Sequence, residues 1–167
     1  MQECIINWWQ SPLFIAIIPI IGGVLGWWLN ILYIHSSPYK IDRDVFEEIQ
    51  DIYESNNYAL NLAIYASMYG DEEKNKIIQL TQLAENEKYD FQDKKLQKKW
   101  NEIKQLILKI SKFIFARSTK DKGFYIVDYK NNEELKLNLN DGESLLKNYK
   151  ELLKMAKNEL YIERIKK

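Results

Sequence analysis

LFIAIIPIIGGVLGWWLNILYI, residues 13–34, is a run of 22 residues without an Asp, Glu, Lys or Arg. As an α-helix it would extend about 33 Å at 1.5 Å per residue, enough to cross a hydrocarbon core of about 30 Å. The run predicts one transmembrane helix over about 13–34. Residues 1–38 are then a short tail plus this span, and 39–167 a separate, mostly helical domain.

The flanks orient the span. No Lys or Arg precedes Lys40, whereas Lys40 and Arg43 follow closely. The positive-inside rule therefore places the N-terminus outside and the C-terminal domain in the cytoplasm, in a single-pass protein of the inner (cytoplasmic) membrane. A cleaved secretory signal does not fit, because the leading residues lack positive charge and no A-x-A site follows the apolar run. Trp8 and Trp9 at one end, with Trp27, Trp28 and Tyr33 at the other, suit aromatic belts at the two interfaces.

Along the span, Pro12, Ala16, Pro19, Gly23, Gly26 and Asn30 recur at alternating steps of four and three. They form a seam of small or polar residues on one helix face. Gly22 and Gly26 add the GxxxG spacing that lets backbones approach closely in lipid. The seam (Ala16, Pro19, Gly23, Gly26, Asn30) predicts a homo-oligomer within membrane lipid; the plainer alternative is a lone anchor. Pro19 predicts a kink, since its missing N–H frees a carbonyl one turn back.

Charge is balanced over the 167 residues, 24 bases against 24 acids, but segregated. Residues 42–93 carry 13 acids and four bases; residues 94–167 carry 19 bases and 10 acids. Either the halves pair, or a basic surface is kept for an anionic partner. Cys4 and His35 are the only residues of their kinds, which removes disulfide frameworks, CxxC-type sites and two-histidine metal motifs. No Walker, dinucleotide, serine-elbow or HExxH pattern is present. The expectation is a non-enzyme without metal, cofactor or catalytic residue.

Within the domain, Asp42 is expected to cap a first helix that breaks at Ser55-Asn56-Asn57. A second helix over 58–69 ends at Gly70, and a third is capped by Asp71. The longest helix covers about 91–116, with Leu96, Trp100, Ile103, Ile107, Ile110 and Ile114 on its apolar face. Residues 124–129 and the alternating Leu135, Leu137 and Leu139 predict a single β-hairpin turning at Lys130-Asn131-Asn132, with Asn140-Asp141-Gly142 closing the second strand. A last helix follows from about Glu143, with Leu146, Tyr149, Leu153, Ala156 and Leu160 inward. The fold class is mainly α, with one hairpin before the final helix.

Ten bases and two acids lie between Lys94 and Lys122. Arg117, Lys120 and Lys122 sit beside Tyr125 and Tyr129, the ingredients for holding phosphates while stacking a base ring. These five are the candidate ligand-binding residues; lipid headgroups or the acidic half are the competing partners.

In layout, the seam of Pro19, Gly23, Gly26 and Asn30 followed by the basic-aromatic run 117–129 resembles the membrane effectors of prokaryotic nucleotide-signalled defence. Among these are type III CRISPR accessory membrane proteins that respond to cyclic tetra-adenylate. The resemblance carries no site residues over. It implies a cytoplasmic oligomer that binds a cyclic oligoadenylate, a cyclic nucleotide ligand, and disrupts the membrane in antiviral defence. The alternative is a membrane-anchored accessory or structural subunit that binds a protein partner.

Overall fold

A computed structural model of the chain describes residues 12–34 and 37–160, with side chains described over 19–29, at 32 and over 40–160. Cys4, Trp8, Trp9 and His35 lie outside the described residues, as do the side chains of Ala16, Asn30 and Tyr33. The chain divides into two units, 1–37 and 38–167.

In the first unit, α1 (Pro12–Ile34) is helical throughout, Pro19 included. Its described side chains, among them Ile20, Val24, Leu25, Trp27 and Leu29, are exposed. A methyl group at Gly22, Gly23 or Gly26 would meet nothing within 4 Å. Among the described residues no helix is long and apolar enough to cross a membrane; of the 23 residues of α1, side chains are described only over 19–29 and at 32.

The second unit is built around α4 (Lys94–Arg117). The six residues read as its apolar face are all buried, Trp100 completely so. α4 packs on α3 (Asp71–Glu85) and α5 (Asn132–Glu159). Phe46, Ile49, Tyr53, Leu60 and Ile64 of α2 (Ser37–Tyr65) complete one continuous core. Tyr53 of α2 and Tyr149 of α5 stack with ring centroids 3.8 Å apart. Lys99 ties α4 to α5, donating to Glu151 at 2.8 Å while also holding Glu102 at 2.7 Å.

Several expected boundaries move. α2 runs unbroken through Ser55-Asn56-Asn57, because the Asn56 amide turns back onto the Ile52 carbonyl at 2.8 Å and is buried there. It ends at Tyr65, with Ser67 left-handed at φ 55° in place of the expected glycine stop. Gly70 does not end that helix; it is the N-cap of α3, its N–H donating to Glu73 at 3.0 Å. Asp42 caps no helix of its own. Buried, it accepts from the backbone N–H groups of Gln92 (2.6 Å) and Asp93 (2.8 Å), fixing the approach to α4. Asp42→Ala is expected to lower unfolding free energy by about 2 kcal/mol, since hydrogen bonds to a charged group are worth about 1.5–3 kcal/mol each and part of the loop can rehydrate. Urea denaturation followed by circular dichroism checks this; an unchanged midpoint would contradict it.

The hairpin is real and the strand expected at 124–129 is present, but its partner is a different segment. β2 (Ser118–Asp121) and β3 (Phe124–Val127) pair antiparallel, and β1 (Met68–Tyr69) adds on the far side of β3, giving the order β1-β3-β2. Lys122 (φ 47°) and Gly123 (φ 91°) make the connection, both positive as a two-residue type I′ turn requires. Residues 135–139 form no strand. They lie in the first turns of α5, where Asn131 caps, accepting from Glu133 (3.1 Å) and Glu134 (2.9 Å). Asn140-Asp141-Gly142 is mid-helix rather than a turn: a Cβ on Gly142 would stand 3.2 Å from Ile64 Cδ1, so glycine permits the close approach of α5 to α2. The buried face of α5 is accordingly Asn138, Gly142, Leu145, Tyr149, Leu152 and Ala156, and Leu146 is exposed.

Candidate anion-binding cleft

The small sheet aligns three chemistry-bearing side chains. Tyr69 pairs with Tyr125 across β1–β3, and Tyr125 with Lys120 across β3–β2. Opposed residues project to the same face, so Tyr69, Tyr125 and Lys120 form a row. The two tyrosine rings stack, centroids 5.1 Å apart and 14° from parallel. The Tyr69 hydroxyl donates to Ser118 Oγ at 2.8 Å, and that hydroxyl donates to the Ile114 carbonyl at 2.6 Å. Burial raises the Tyr69 pKa, with the Ser118 hydrogen bond and Lys74 pulling the other way.

The first turn of α3 faces this row. Asp71 and Lys74, three residues apart, share a helix face. Lys74 Nζ donates to the Tyr125 hydroxyl at 3.1 Å and lies 4.5 Å from its ring centroid. Lys120 Nζ lies 5.1 Å from the same centroid and donates to both Asp71 carboxylate oxygens at 3.0 Å. The Lys120 hydrogen bond, and then that of Tyr125, holds the Asp71 carboxyl below the usual carboxylate range. The Asp71 bond likewise raises Lys120. Between α3, α4 and the sheet opens a cleft of about 460 Å³ lined by Tyr69, Lys74, Ile78, Phe115, Ser118 and Tyr125.

Two ammonium groups lie over one aromatic ring, and one of them, Lys120, is paired with the Asp71 carboxylate. Among the described residues Lys74 has no carboxylate partner. An anionic group can be held by the lysines and the tyrosine hydroxyl, and an apolar or planar body by Phe115 and Ile78.

Of the five residues singled out in the sequence, Tyr125 lines the cleft, and Lys120 stands beside that lining, over the Tyr125 ring and paired with Asp71. Arg117 instead pairs with Glu134 at 2.6 Å and lies over Phe113, anchoring the start of α5. Tyr129 stacks on Phe113, accepts from Asn138 at 2.8 Å and reaches the Ile64 carbonyl at 3.4 Å. Lys122 is at the exposed hairpin tip. Tyr69, Asp71, Lys74 and Ser118 were not singled out as ligand contacts; three of them lie in the acidic half, which the β1–β3 pairing and the packing of α3 on α4 bring to the basic run.

The basic run is largely neutralised. Lys104 pairs with Asp90 (2.6 Å) and Lys120 with Asp71, both in the acidic half. Lys95, Lys99, Lys109 and Arg117 pair with acids of their own half. Lys94 and Lys98 have no ion-pair partner among the described residues and border a groove of about 520 Å³ with Gln97, Asn101 and Gln105. That groove lacks the convergence of cations on an aromatic ring found at the cleft. Among the described residues no three His, Cys, Asp or Glu side chains are grouped to hold a metal ion. No family model, curated protein or solved structure matches the chain.

Proposed function

We propose that the chain is a single-pass membrane sensor, without catalytic activity, whose domain binds a phosphate-bearing organic anion between Lys74, Lys120 and Tyr125. The observation that carries this reading is that two ammonium groups meet on one tyrosine, Tyr125, which with Lys74 lines a cleft whose other walls include Ile78 and Phe115. Such an arrangement holds a charge and a planar ring together.

The membrane half of the reading is supported by the sequence of α1. Its 23 residues contain no charge, and as a helix they extend about 34 Å, long enough to cross a bilayer. Lys40 and Arg43 orient the domain to the cytoplasm. Copies pack through the seam of Pro19, Gly23 and Gly26, where the two glycines carry no side chain to hold neighbouring backbones apart and have open space beside them. A ligand that binds one arrangement of the copies better than another shifts the bundle and perturbs the membrane. Cyclic oligoadenylates are the ligands implied by the resemblance to defence effectors. The cleft takes one nucleotide-sized unit, so a cyclic ligand would be shared between copies.

The test is dye release from vesicles carrying the full chain, with nucleotide added on the domain side. Release above background is expected for the wild type. Gly23→Leu with Gly26→Leu is expected to abolish release while leaving nucleotide affinity within about twofold, because bulky side chains on the seam prevent close packing. Release that survives this pair of changes would contradict the seam.

One observation favours the accessory-subunit reading. Met68 and Ile126, opposed across β1–β3, and Phe124 on the same strand face are all exposed, an apolar patch suited to a protein partner. A chain that binds no nucleotide but is released from its partner by Ile126→Asp would support that reading.

A further inference from the structure

Asp71 stands where a ligand's own anionic group would bind. Both its oxygens lie 3.0 Å from Lys120 Nζ, and it rises from the helix turn that also carries Lys74. We propose that Asp71 is a built-in competitor for the anion site: an incoming phosphate displaces its carboxylate from Lys120 and takes its place beside Lys74. This rests on the cleft being the anion site.

Three features make the carboxylate displaceable. First, the pair is open to water, with side-chain exposures of 50% for Lys120 and 63% for Asp71, so solvent weakens it. Second, Asp71 opens the first turn of α3, beside Glu72 and Glu73. There the free N–H groups and the helix dipole favour a negative charge after Lys120 has left it. Third, Lys120 sits on a four-residue strand at the sheet edge, joined to β3 through a two-residue turn, so it can move without disturbing the core.

The consequence is an exchange of bridges. Ligand-free, the Lys120–Asp71 pair spans from α3 to the hairpin; ligand-bound, Lys120 and Lys74 share the phosphate, which spans the two in the carboxylate's place. The same displacement sets affinity, because each binding event must first break an existing ion pair and must place an anion near a carboxylate.

The experiment uses the full chain in detergent micelles, with pyrophosphate and AMP as probes and isothermal titration as the measurement. Asp71→Asn is expected to bind pyrophosphate about tenfold more tightly than the wild type, from removal of one like charge a few ångströms from the anion at a partly screened site. Equal or weaker binding by Asp71→Asn, with wild-type binding present and lost in Lys74→Met, would overturn the role of Asp71 and leave the cleft standing. If neither the wild type nor Asp71→Asn binds either probe, the cleft itself fails and the proposal falls with it.

Discussion

Lys74→Gln combined with Lys120→Gln is expected to weaken nucleotide binding by about 100-fold, because each charge-assisted hydrogen bond to phosphate contributes about 1.5 kcal/mol at a partly exposed site. Stability should hardly change. The Lys120–Asp71 pair is exposed, and exposed pairs contribute about 0–1 kcal/mol. Lys74 leaves no carboxylate behind, only the Tyr125 hydroxyl, which water can reach through the cleft. Titration calorimetry with a melting curve on the same sample separates the two effects. Affinity retained in the double variant would mean that the anion is held elsewhere, and the groove beside Lys94 and Lys98 would be examined next. Arg117→Gln is the informative contrast. It removes a base that the sequence places beside the same aromatics, yet its partner is Glu134, so it should reduce stability and leave affinity alone.

Trp100→Ala is expected to lower unfolding free energy by about 4 kcal/mol, a large part of the 5–15 kcal/mol typical of a domain. Trp100 is fully buried in the middle of α4, where the helix meets the rest of the core. Its indole Nε1 makes no hydrogen bond within the protein, so the loss comes from packing and the cavity left behind. Trp100→Phe keeps most of the contact and should recover more than half of that loss. Urea midpoints for the two variants check the ordering. A midpoint for Trp100→Ala close to the wild type would mean that the core is not centred on α4.

The sequence exposes most clearly what depends on local periodicity. The alternating four- and three-residue steps from Leu96 to Ile114 identify the buried face of α4 because a long amphipathic helix repeats its signal many times. The turn chemistry was harder to read. The Leu135, Leu137 and Leu139 alternation imitates a strand over five residues, while the stronger local signal was Asn131 followed three positions later by Glu134, a helix start. Gly142 reads as a turn residue until Ile64 is known to press against it, and that contact belongs to tertiary structure alone. Asn56 follows the same pattern: its side chain could end a helix, but burial against α2's own carbonyl keeps the helix intact.

The site was half legible for a related reason. Lys120 and Tyr125 stand close in the chain across one tight turn, so a basic-aromatic run displays them together. Tyr69 and Lys74 join them through long-range structure: β1, two residues long and paired with a strand more than fifty positions away, and the packing of α3 on α4. No local pattern announces so short a strand. Arg117 and Tyr129 share the run but face Phe113 and the start of α5, because the end of a helix and the far end of a strand direct neighbouring residues to different sides.

The most direct test of the account is the melting temperature and mass of the full chain in micelles, with and without a panel of linear and cyclic nucleotides. A ligand that binds only the folded state raises the melting point in proportion to the logarithm of its concentration over its dissociation constant. The account predicts that at least one adenine nucleotide shifts the midpoint by several degrees, saturates at a fixed ratio per oligomer, and loses the shift when Lys74 and Lys120 are both Gln. A folded, oligomeric chain whose midpoint is unmoved by every member of the panel would contradict it.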